Sequence, residues 1–108
     1  MAKIAFHNAR DLQDAYDVLA QYGEKAKIIA GGTDMMVKLN RRLAAPEVLV
    51  HIGGCGLNYI KLEETNIVIG ATTPLADITR SDPVQEKIPL LVEAVRHMGG
   101  LAIRNAAT

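Results

Sequence analysis

A short apolar run that leads directly into two glycines and then into a helical pattern limits most strongly how this chain can fold. The run reads Ile28-Ile29-Ala30-Gly31-Gly32-Thr33-Asp34. Its apolar residues favour a buried strand, and the paired glycines permit a tight turn because they carry no Cβ. The pattern therefore predicts a strand that turns at once into a helix, as in α/β proteins.

The segments on either side of this turn continue the alternation of strand and helix. Asn8 and Asp11 are candidate caps for a first helix that ends near Gly23, and Pro46 ends a second helix. The predicted strands lie at residues 3–6, 27–30 and 48–52. Because helices separate these strands, we expect a small, mostly parallel sheet with helical crossovers.

The composition changes at residues 53–56, which contain three glycines and indicate a turn between two lobes. We therefore divide the chain into residues 1–54, a small α/β lobe, and residues 55–108, a second mixed lobe. The second lobe should open with a hairpin of strands at residues 59–62 and 67–69. Helices should follow, interrupted at Pro89.

Composition excludes several classes of function. Twelve basic and twelve acidic residues give a formal net charge of zero, which argues against nucleic acid as the main partner. No apolar run approaches the roughly 20 residues of a membrane helix. The single cysteine, Cys55, excludes a disulfide framework and any iron–sulfur or zinc–thiolate site built from this chain alone. We expect a cytoplasmic protein without a membrane span.

The glycine turn has two interpretations. Main-chain amides next to glycines can approach an anion closely, and the Thr33 hydroxyl can donate to a phosphate oxygen, so the turn suits a pyrophosphate. The spacing matches neither the Gly-x-Gly-x-x-Gly pattern nor the P-loop. The alternative is a plain strand-to-helix turn in which Thr33 or Asp34 caps the helix.

Other candidate residues carry weaker signals. Residues 69–73 repeat the strand, small-residue and helix-start design. The guanidinium of Arg104, next to Asn105, could hold a carboxylate or fix a neighbouring loop, and the sequence favours a structural salt bridge. The three histidines lack the spacing of metal ligands. Cys55 is interpreted as a small packed residue, and the Glu63-Glu64 pair is interpreted as solvated charge at a hairpin tip. The histidines are His7, His51 and His97.

The order of these motifs resembles the FAD-binding subunit of the molybdenum hydroxylases, a family that includes the flavin portions of xanthine dehydrogenase, aerobic carbon monoxide dehydrogenase and 4-hydroxybenzoyl-CoA reductase. The resemblance covers essentially the whole chain. It rests on Ala30-Gly31-Gly32-Thr33-Asp34, Val37-Lys38, Ile69-Gly70-Ala71 with Thr73, Ser81, Glu93-Ala94 and Ile103-Arg104-Asn105-Ala106-Ala107-Thr108. It implies the N-terminal part of a vanillyl-alcohol-oxidase-like (PCMH-type) FAD-binding fold, with a βαβαβ lobe before a mixed lobe.

The resemblance also implies a cofactor, a site and partners. The first glycine loop would wrap the FAD pyrophosphate, and a second loop would begin at Thr108, where this sequence stops. The implied cofactor-binding residues are Ile29, Ala30, Gly31, Gly32, Thr33, Asp34, Met35 and Thr108. No catalytic side chain and no metal ligand are expected in this chain.

By the same resemblance, the chain is an N-terminal fragment of an oxidoreductase subunit and is inactive alone. FAD would relay electrons to NAD or another acceptor. The electrons would come from [2Fe–2S] clusters in a small partner subunit and a molybdenum cofactor in a large molybdopterin-binding subunit. The remainder of the flavin subunit would be a further partner. The alternative function is a small non-catalytic α/β interaction module.

Overall fold

The computed structural model describes residues 3–108, which divide into two compact units, Met1–Gly56 and Leu57–Thr108. The first unit contains three strands and two α-helices in strict alternation. These elements are β1 (Ala5–Asn8), α1 (Leu12–Tyr22), β2 (Ala26–Ile29), α2 (Met35–Asn40) and β3 (Val48–His51), with a 3₁₀ turn at Gly23–Lys25. The predicted βαβαβ lobe is confirmed.

The sheet of the first unit is wholly parallel, with β3 between β1 and β2. Ala5 and Ala26 both pair with Val48, and His51 pairs with Asn8 on one side and Ile29 on the other. The first strand therefore begins at Ala5, two residues later than its alternating pattern predicted. Its position is decided by pairing with β3, which a local pattern does not contain.

Helix α1 is bounded by two residues whose local chemistry ends a helix. At its start, the Asp11 carboxylate accepts a hydrogen bond of 2.7 Å from the Asp14 N–H. At its end, Gly23 adopts a φ of 55°, which favours glycine. The helix packs Ala15, Val18 and Leu19 against a core on one face of the sheet. The buried members of that core are Ala9, Ala15, Ala26, Val48 and Val50.

Asp14, in the first turn of α1, ties the helix to the preceding loop. Its carboxylate accepts hydrogen bonds from the Arg10 N–H at 2.9 Å and from His7 Nε2 at 3.1 Å. The Arg10 amide, helped by His7, holds the pKa of Asp14 below its ordinary value of 3.8. The Asp14 contribution to stability is therefore present above that value and lost as pH falls through the lower folded value.

Replacing Asp14 by Asn should lower the melting temperature at pH 7 and flatten its decline below about pH 4, because Asn carries no titrating charge. Thermal unfolding followed by circular dichroism between pH 2.5 and 7 measures both effects. Asp17→Asn is the matched control, since Asp17 lies in the same helix and accepts a side-chain hydrogen bond from Gln13 only. Equal pH profiles for the two variants would contradict the assignment.

The strand order places the two crossover helices of the first unit on opposite sides of its sheet. Connections between parallel strands are almost always right-handed. The connection from β1 to β2 crosses the sheet in one direction, and the connection from β2 to β3 returns in the other. Side chains alternate along β2, so Ile29 points away from the core that contains Ala26. Ile29 and Met36 of α2 both approach Gly32. The sheet is thus wound in both directions, and its carboxyl edge is where ligands bind such folds.

The second unit joins a hairpin to four short helices. Strands β4 and β5 pair in antiparallel register, Ile60 with Ile69 and Leu62 with Ile67, which confirms the predicted hairpin. The elements are β4 (Ile60–Leu62), β5 (Ile67–Ile69), α3 (Leu75–Arg80), α4 (Asp82–Lys87), α5 (Pro89–Arg96) and α6 (Leu101–Ala106). The core of this unit centres on the buried residues Ile78, Val84 and Val92.

Proline divides the helical part of the second unit as expected. Pro89 begins α5 directly after α4 ends at Lys87, because its ring prevents an interior helical position. Pro83 lies in the first turn of α4, where a missing N–H has no cost. Among residues 3–108, no helix is long and apolar enough to cross a membrane.

Candidate functional site

The glycine turn of the first unit lies at the carboxyl end of β2 and connects it to α2. Ile29 is the last strand residue and is buried, and Met35 is the first residue of α2. Between them, Gly31 is exposed and Gly32 and Thr33 are half-buried. We call residues 30–35 the glycine loop. Its backbone lies at the surface, at the edge of the sheet where ligands bind wound α/β folds.

The glycine loop presents a run of main-chain donors without partners. Within the described range 3–108, none of the N–H groups of Gly31, Gly32, Thr33, Asp34 and Met35 donates a hydrogen bond to the protein. The next N–H, of Met36, donates to the Gly32 carbonyl at 3.0 Å. Successive amides left free of neighbouring carbonyls are what a diphosphate requires of a main-chain site.

Gly32 is the residue in the loop whose geometry requires glycine. Its φ is 80°, in the left-handed region that side chains rarely adopt. A Cβ added there would lie 3.4 Å from Met36 Cγ and 3.7 Å from Ile29 Cδ1. These are ordinary contact distances, so it is the positive φ that requires glycine, and the direction of the neighbouring amides depends on that φ. The residues present fit a bound diphosphate group.

The helix-capping alternative for this loop is not realised by Asp34. Asp34 occupies the N-cap position of α2, but its side chain makes no capping hydrogen bond. Its carboxylate instead pairs with Lys38 Nζ at 2.9 Å, one turn along the helix. The Thr33 hydroxyl likewise makes no hydrogen bond to any described residue. The negative charge of Asp34 would disfavour a bound anion, and Lys38 balances it.

The second small-residue loop, at residues 70–73, is a packed structural element of the second unit. The Thr73 hydroxyl accepts from the Tyr59 N–H at 3.1 Å and donates to the Tyr59 carbonyl at 3.0 Å. Gly70 lies so close to Leu57 that an added Cβ would be 2.0 Å from the Leu57 carbonyl oxygen. Thr72 is buried, and its hydroxyl has no hydrogen-bond partner within residues 3–108.

The carboxyl-terminal motif is organised by Arg104. Its Nη1 donates to the carbonyl oxygens of Arg96 at 3.1 Å, Gly99 at 3.2 Å and Met98 at 3.4 Å. Arg104 therefore holds the turn between α5 and α6, which is the loop-fixing role rather than a carboxylate pair. Thr108 is exposed and follows Ala107, whose carbonyl accepts from the Leu75 N–H at 2.8 Å.

The three histidines occupy three different settings. His7 contacts Asp14, and His97, at the end of α5, contacts Glu93 at 3.0 Å. His51 ends the central strand β3 and is held by Asn8 and Phe6. Nothing in the sequence spacing indicated that last arrangement, because Phe6 and Asn8 lie more than 40 residues away. Among residues 3–108, no group of three or more potential ligands is placed to hold a metal ion.

Two grooves lie among residues other than those of the glycine loop. One of about 730 Å³ is in the second unit, between the hairpin tip and the end of α4, and one of about 550 Å³ is in the first unit beside Lys3 and Tyr22. Glu63 and Glu64 line the first groove and are exposed, as expected of solvated charge. Cys55 is partly buried against the Ala9 carbonyl, as a packed residue would be.

Fold and site together define a small α/β protein with a free-amide glycine loop at the carboxyl edge of a parallel sheet. Residues 2–108 match the family described as the FAD binding domain in molybdopterin dehydrogenase. The chain belongs to this family, and its cofactor is FAD. The resemblance inferred from the motifs, and the vanillyl-alcohol-oxidase-like fold that it implies, are confirmed.

Individual relatives agree with this assignment. The chain is 34% identical over 107 residues to the carbon monoxide dehydrogenase medium chain of Hydrogenophaga pseudoflava, covering 98% of this chain and 37% of the relative. It is 38% identical over 101 residues to the 6-hydroxypseudooxynicotine dehydrogenase complex subunit alpha of Paenarthrobacter nicotinovorans, covering 93% and 34%. The chain thus spans little more than a third of the length of these relatives.

Solved structures agree as well. The reconstituted CO dehydrogenase from Oligotropha carboxidovorans superposes with a TM-score of 0.95 at 32% identity, over 99% of this chain and 38% of that one. Quinoline 2-oxidoreductase from Pseudomonas putida 86 superposes with a TM-score of 0.92 at 27% identity, over 99% and 38%. The fold of this chain is therefore that of the corresponding part of these oxidoreductase subunits.

Proposed function

We propose that this chain is the first part of an FAD-binding electron-transfer component of a molybdenum-containing hydroxylase or dehydrogenase. The single observation that carries the proposal is the glycine loop with its five free main-chain N–H groups at the carboxyl edge of the sheet. Family membership identifies the ligand class as FAD. The diphosphate of FAD is a multiply charged acceptor, which free amides bind with charge-assisted hydrogen bonds.

In this proposal the residues of the loop bind and orient the cofactor and do no chemistry themselves. The amides flanking Gly32 donate to diphosphate oxygens, the Thr33 hydroxyl adds a donor, and Lys38 keeps the Asp34 carboxylate turned along the helix. Ile29 anchors the loop on the sheet. The proposed cofactor-binding residues are Ile29, Ala30, Gly31, Gly32, Thr33, Asp34, Met35 and Thr108.

Thr108 enters the proposal as the first residue of a second phosphate loop. The segment that delivers it is anchored by the hydrogen bond from Leu75 to Ala107 and by the carbonyl contacts of Arg104. We assign residues 1–54 to the lobe with the first loop and residues 55–108 to the beginning of the second FAD-binding lobe. Because the chain spans little more than a third of the length of its relatives, we expect the 108 residues alone to be inactive.

The proposed partners follow from the division of cofactors. FAD, when bound, accepts electrons and passes them to NAD or another acceptor. The [2Fe–2S] clusters are assigned to a small partner subunit, and the single cysteine of the chain, Cys55, agrees with this division. The molybdenum cofactor is assigned to a large molybdopterin-binding subunit, and the remainder of the flavin subunit completes the assembly. We place the assembly in the cytoplasm.

The alternative function, a non-catalytic interaction module, predicts a chain that is indifferent to flavin and exposes little apolar surface. Large apolar side chains are instead well exposed in both units, with Leu43 72% and Leu90 79% accessible. Exposed apolar surface of this kind supports a chain that further protein covers. This observation favours the FAD-binding component over the alternative.

Competition between nucleotides tests the proposal in the natural full-length protein after FAD has been removed. FAD binding is followed by quenching of flavin fluorescence, with ADP and adenosine as competitors. ADP should compete at least about tenfold better than adenosine, because the free amides of the glycine loop bind the diphosphate rather than the nucleoside. Equal competition by the two compounds, or no binding of FAD, would overturn the proposed function.

A further inference from the structure

The imidazole of His51, at the carboxyl end of the central strand β3, is contacted by three residues. Its Nδ1 lies 3.0 Å from Asn8 Oδ1, and its ring stacks on Phe6 with a centroid distance of 5.7 Å and an interplanar angle of 29°. The ring also lies over Gly53, where an added Cβ would be 2.6 Å from His51 Cε1. These three contacts fix the orientation of the ring.

The contact with Asn8 decides which ring nitrogen carries the proton. Because Asn8 Oδ1 is an acceptor, His51 Nδ1 must donate, and the neutral ring then carries an unprotonated Nε2. Nε2 makes no hydrogen bond to any residue in the described range 3–108. In the neutral ring, Nε2 is therefore an oriented acceptor without a partner among the described residues, on a side chain that is partly exposed.

This acceptor lies on the same face of the sheet as the glycine loop. His51 pairs in register with Ile29, and paired residues on neighbouring strands point to the same face, roughly 5 Å apart. Ile29 in turn contacts Gly32, where an added Cβ would be 3.7 Å from Ile29 Cδ1. The strand that carries His51 therefore lies next to the strand that leads into the glycine loop.

We propose that His51 Nε2 accepts a hydrogen bond from a sugar-chain hydroxyl of FAD that adjoins the diphosphate. This inference rests on the proposed function, since it places the diphosphate on the glycine loop. A diphosphate is itself only an acceptor, so an unprotonated nitrogen beside it pairs with the hydroxyls that flank it, on the ribose or on the ribityl chain. His51 is then a cofactor-binding residue, and Asn8 is its positioning residue.

The charged groups around His51 do not supply an internal partner for Nε2. On the same face of the sheet, Lys27 of β2 is exposed and lies two residues before Ile29, the residue that pairs with His51. The Asp34 carboxylate, at the start of α2, is paired with Lys38. Neither group forms a hydrogen bond with Nε2, so this nitrogen is available to a ligand.

Two substitutions of His51 in the natural full-length protein test the proposal by equilibrium binding of FAD. His51→Phe keeps a ring over Gly53 and beside Phe6 but removes the acceptor, so FAD should bind about tenfold more weakly. His51→Gln keeps an acceptor and should remain within about threefold of the wild type. His97→Phe, which changes an exposed histidine of the second unit, is the matched control and should bind FAD normally.

ADP as a second probe identifies which hydroxyl is bound. An equal loss of ADP affinity in His51→Phe assigns the contact to the ribose, and unchanged ADP affinity assigns it to the ribityl chain. In the wild type, the ¹⁵N resonance of His51 Nε2 should also move when FAD binds, which a purely structural role would not cause.

Two results would overturn the inference: His51→Phe binding FAD as tightly as the wild type, or His51→Gln losing as much affinity as His51→Phe. Neither would affect the proposed function, which depends on the glycine loop. If the wild type binds no FAD, or if ADP and adenosine compete equally, the proposed function fails instead.

Discussion

Gly70→Ala is expected to unfold the second unit of the chain. A Cβ at this position would lie 2.0 Å from the Leu57 carbonyl oxygen, 2.6 Å from its carbonyl carbon and 2.9 Å from Tyr59 Cε2. Backbone atoms cannot rotate away as a flexible side chain can, so the two segments must separate. Their separation also breaks the hydrogen bonds from Gly70 to Tyr59 and from Thr72 to Leu57. We estimate a loss of about 3–5 kcal/mol in the free energy of unfolding.

That loss is comparable with the whole stability expected of a small unit, at roughly 0.1 kcal/mol per residue. Hydrogen exchange measures it directly, because amides of residues 57–108 should lose protection while those of the first unit keep theirs. Gly100→Ala is the matched control in the same unit, since a Cβ there meets nothing within 4 Å. Equal protection in the two variants would show that Gly70 does not hold Leu57 in place.

Gly32→Val should lower the affinity for FAD by about a hundredfold. The left-handed φ of 80° is unfavourable for any side chain, and the γ-methyl groups of Val extend beyond a Cβ that would already be in contact with Met36 and Ile29. The loop must therefore shift, which turns the neighbouring amides away from a common target. Each charge-assisted hydrogen bond contributes about 1.5–3 kcal/mol, so the loss of two is sufficient for this effect.

Gly23→Val is the control for backbone strain in this experiment. Gly23 also has a positive φ, of 55°, but an added Cβ there meets nothing within 4 Å. Both variants therefore place a side chain at a positive φ and are strained, but only Gly32→Val alters the proposed site. The measurement is the ratio of bound flavin to protein after purification of the natural full-length protein. If both variants retain the same amount of FAD, the glycine loop is not the diphosphate site.

Much of the architecture could be predicted from short-range patterns. The alternation of strand and helix, the end of α1 at Gly23, the hairpin and the break at Pro89 each depend on residues close together in the chain. The glycine loop belongs to the same group, because a buried strand followed by Gly31 and Gly32 leaves the backbone few alternatives. Its residues could be named, and a family resemblance added, without coordinates.

Other features could not be predicted because their partners lie far along the chain. The start of β1 at Ala5 depends on pairing with Val48. Asp34 and Lys38 are only four residues apart, so their ion pair involves neighbours in sequence. Helix capping and ion pairing of Asp34 differ by no more than about a kcal/mol, however, so the sequence pattern could not decide between them. The clamp on His51 depends on Phe6 and Asn8 and gave no signal in the spacing of histidines.

By itself, the amino-acid order determined which segments become strands, helices and turns, since those preferences come from backbone freedom and the periodicity of apolar side chains. It also indicated the glycine loop as a candidate site for a diphosphate. Only the tertiary structure decided that the amides of the glycine loop have no partner among residues 3–108. It also decided that Gly70 is too close to Leu57 for any side chain, and that His51 pairs with Ile29, the last strand residue before the loop. Such facts depend on distances between residues remote in sequence, which are set when the sheet and its helices pack.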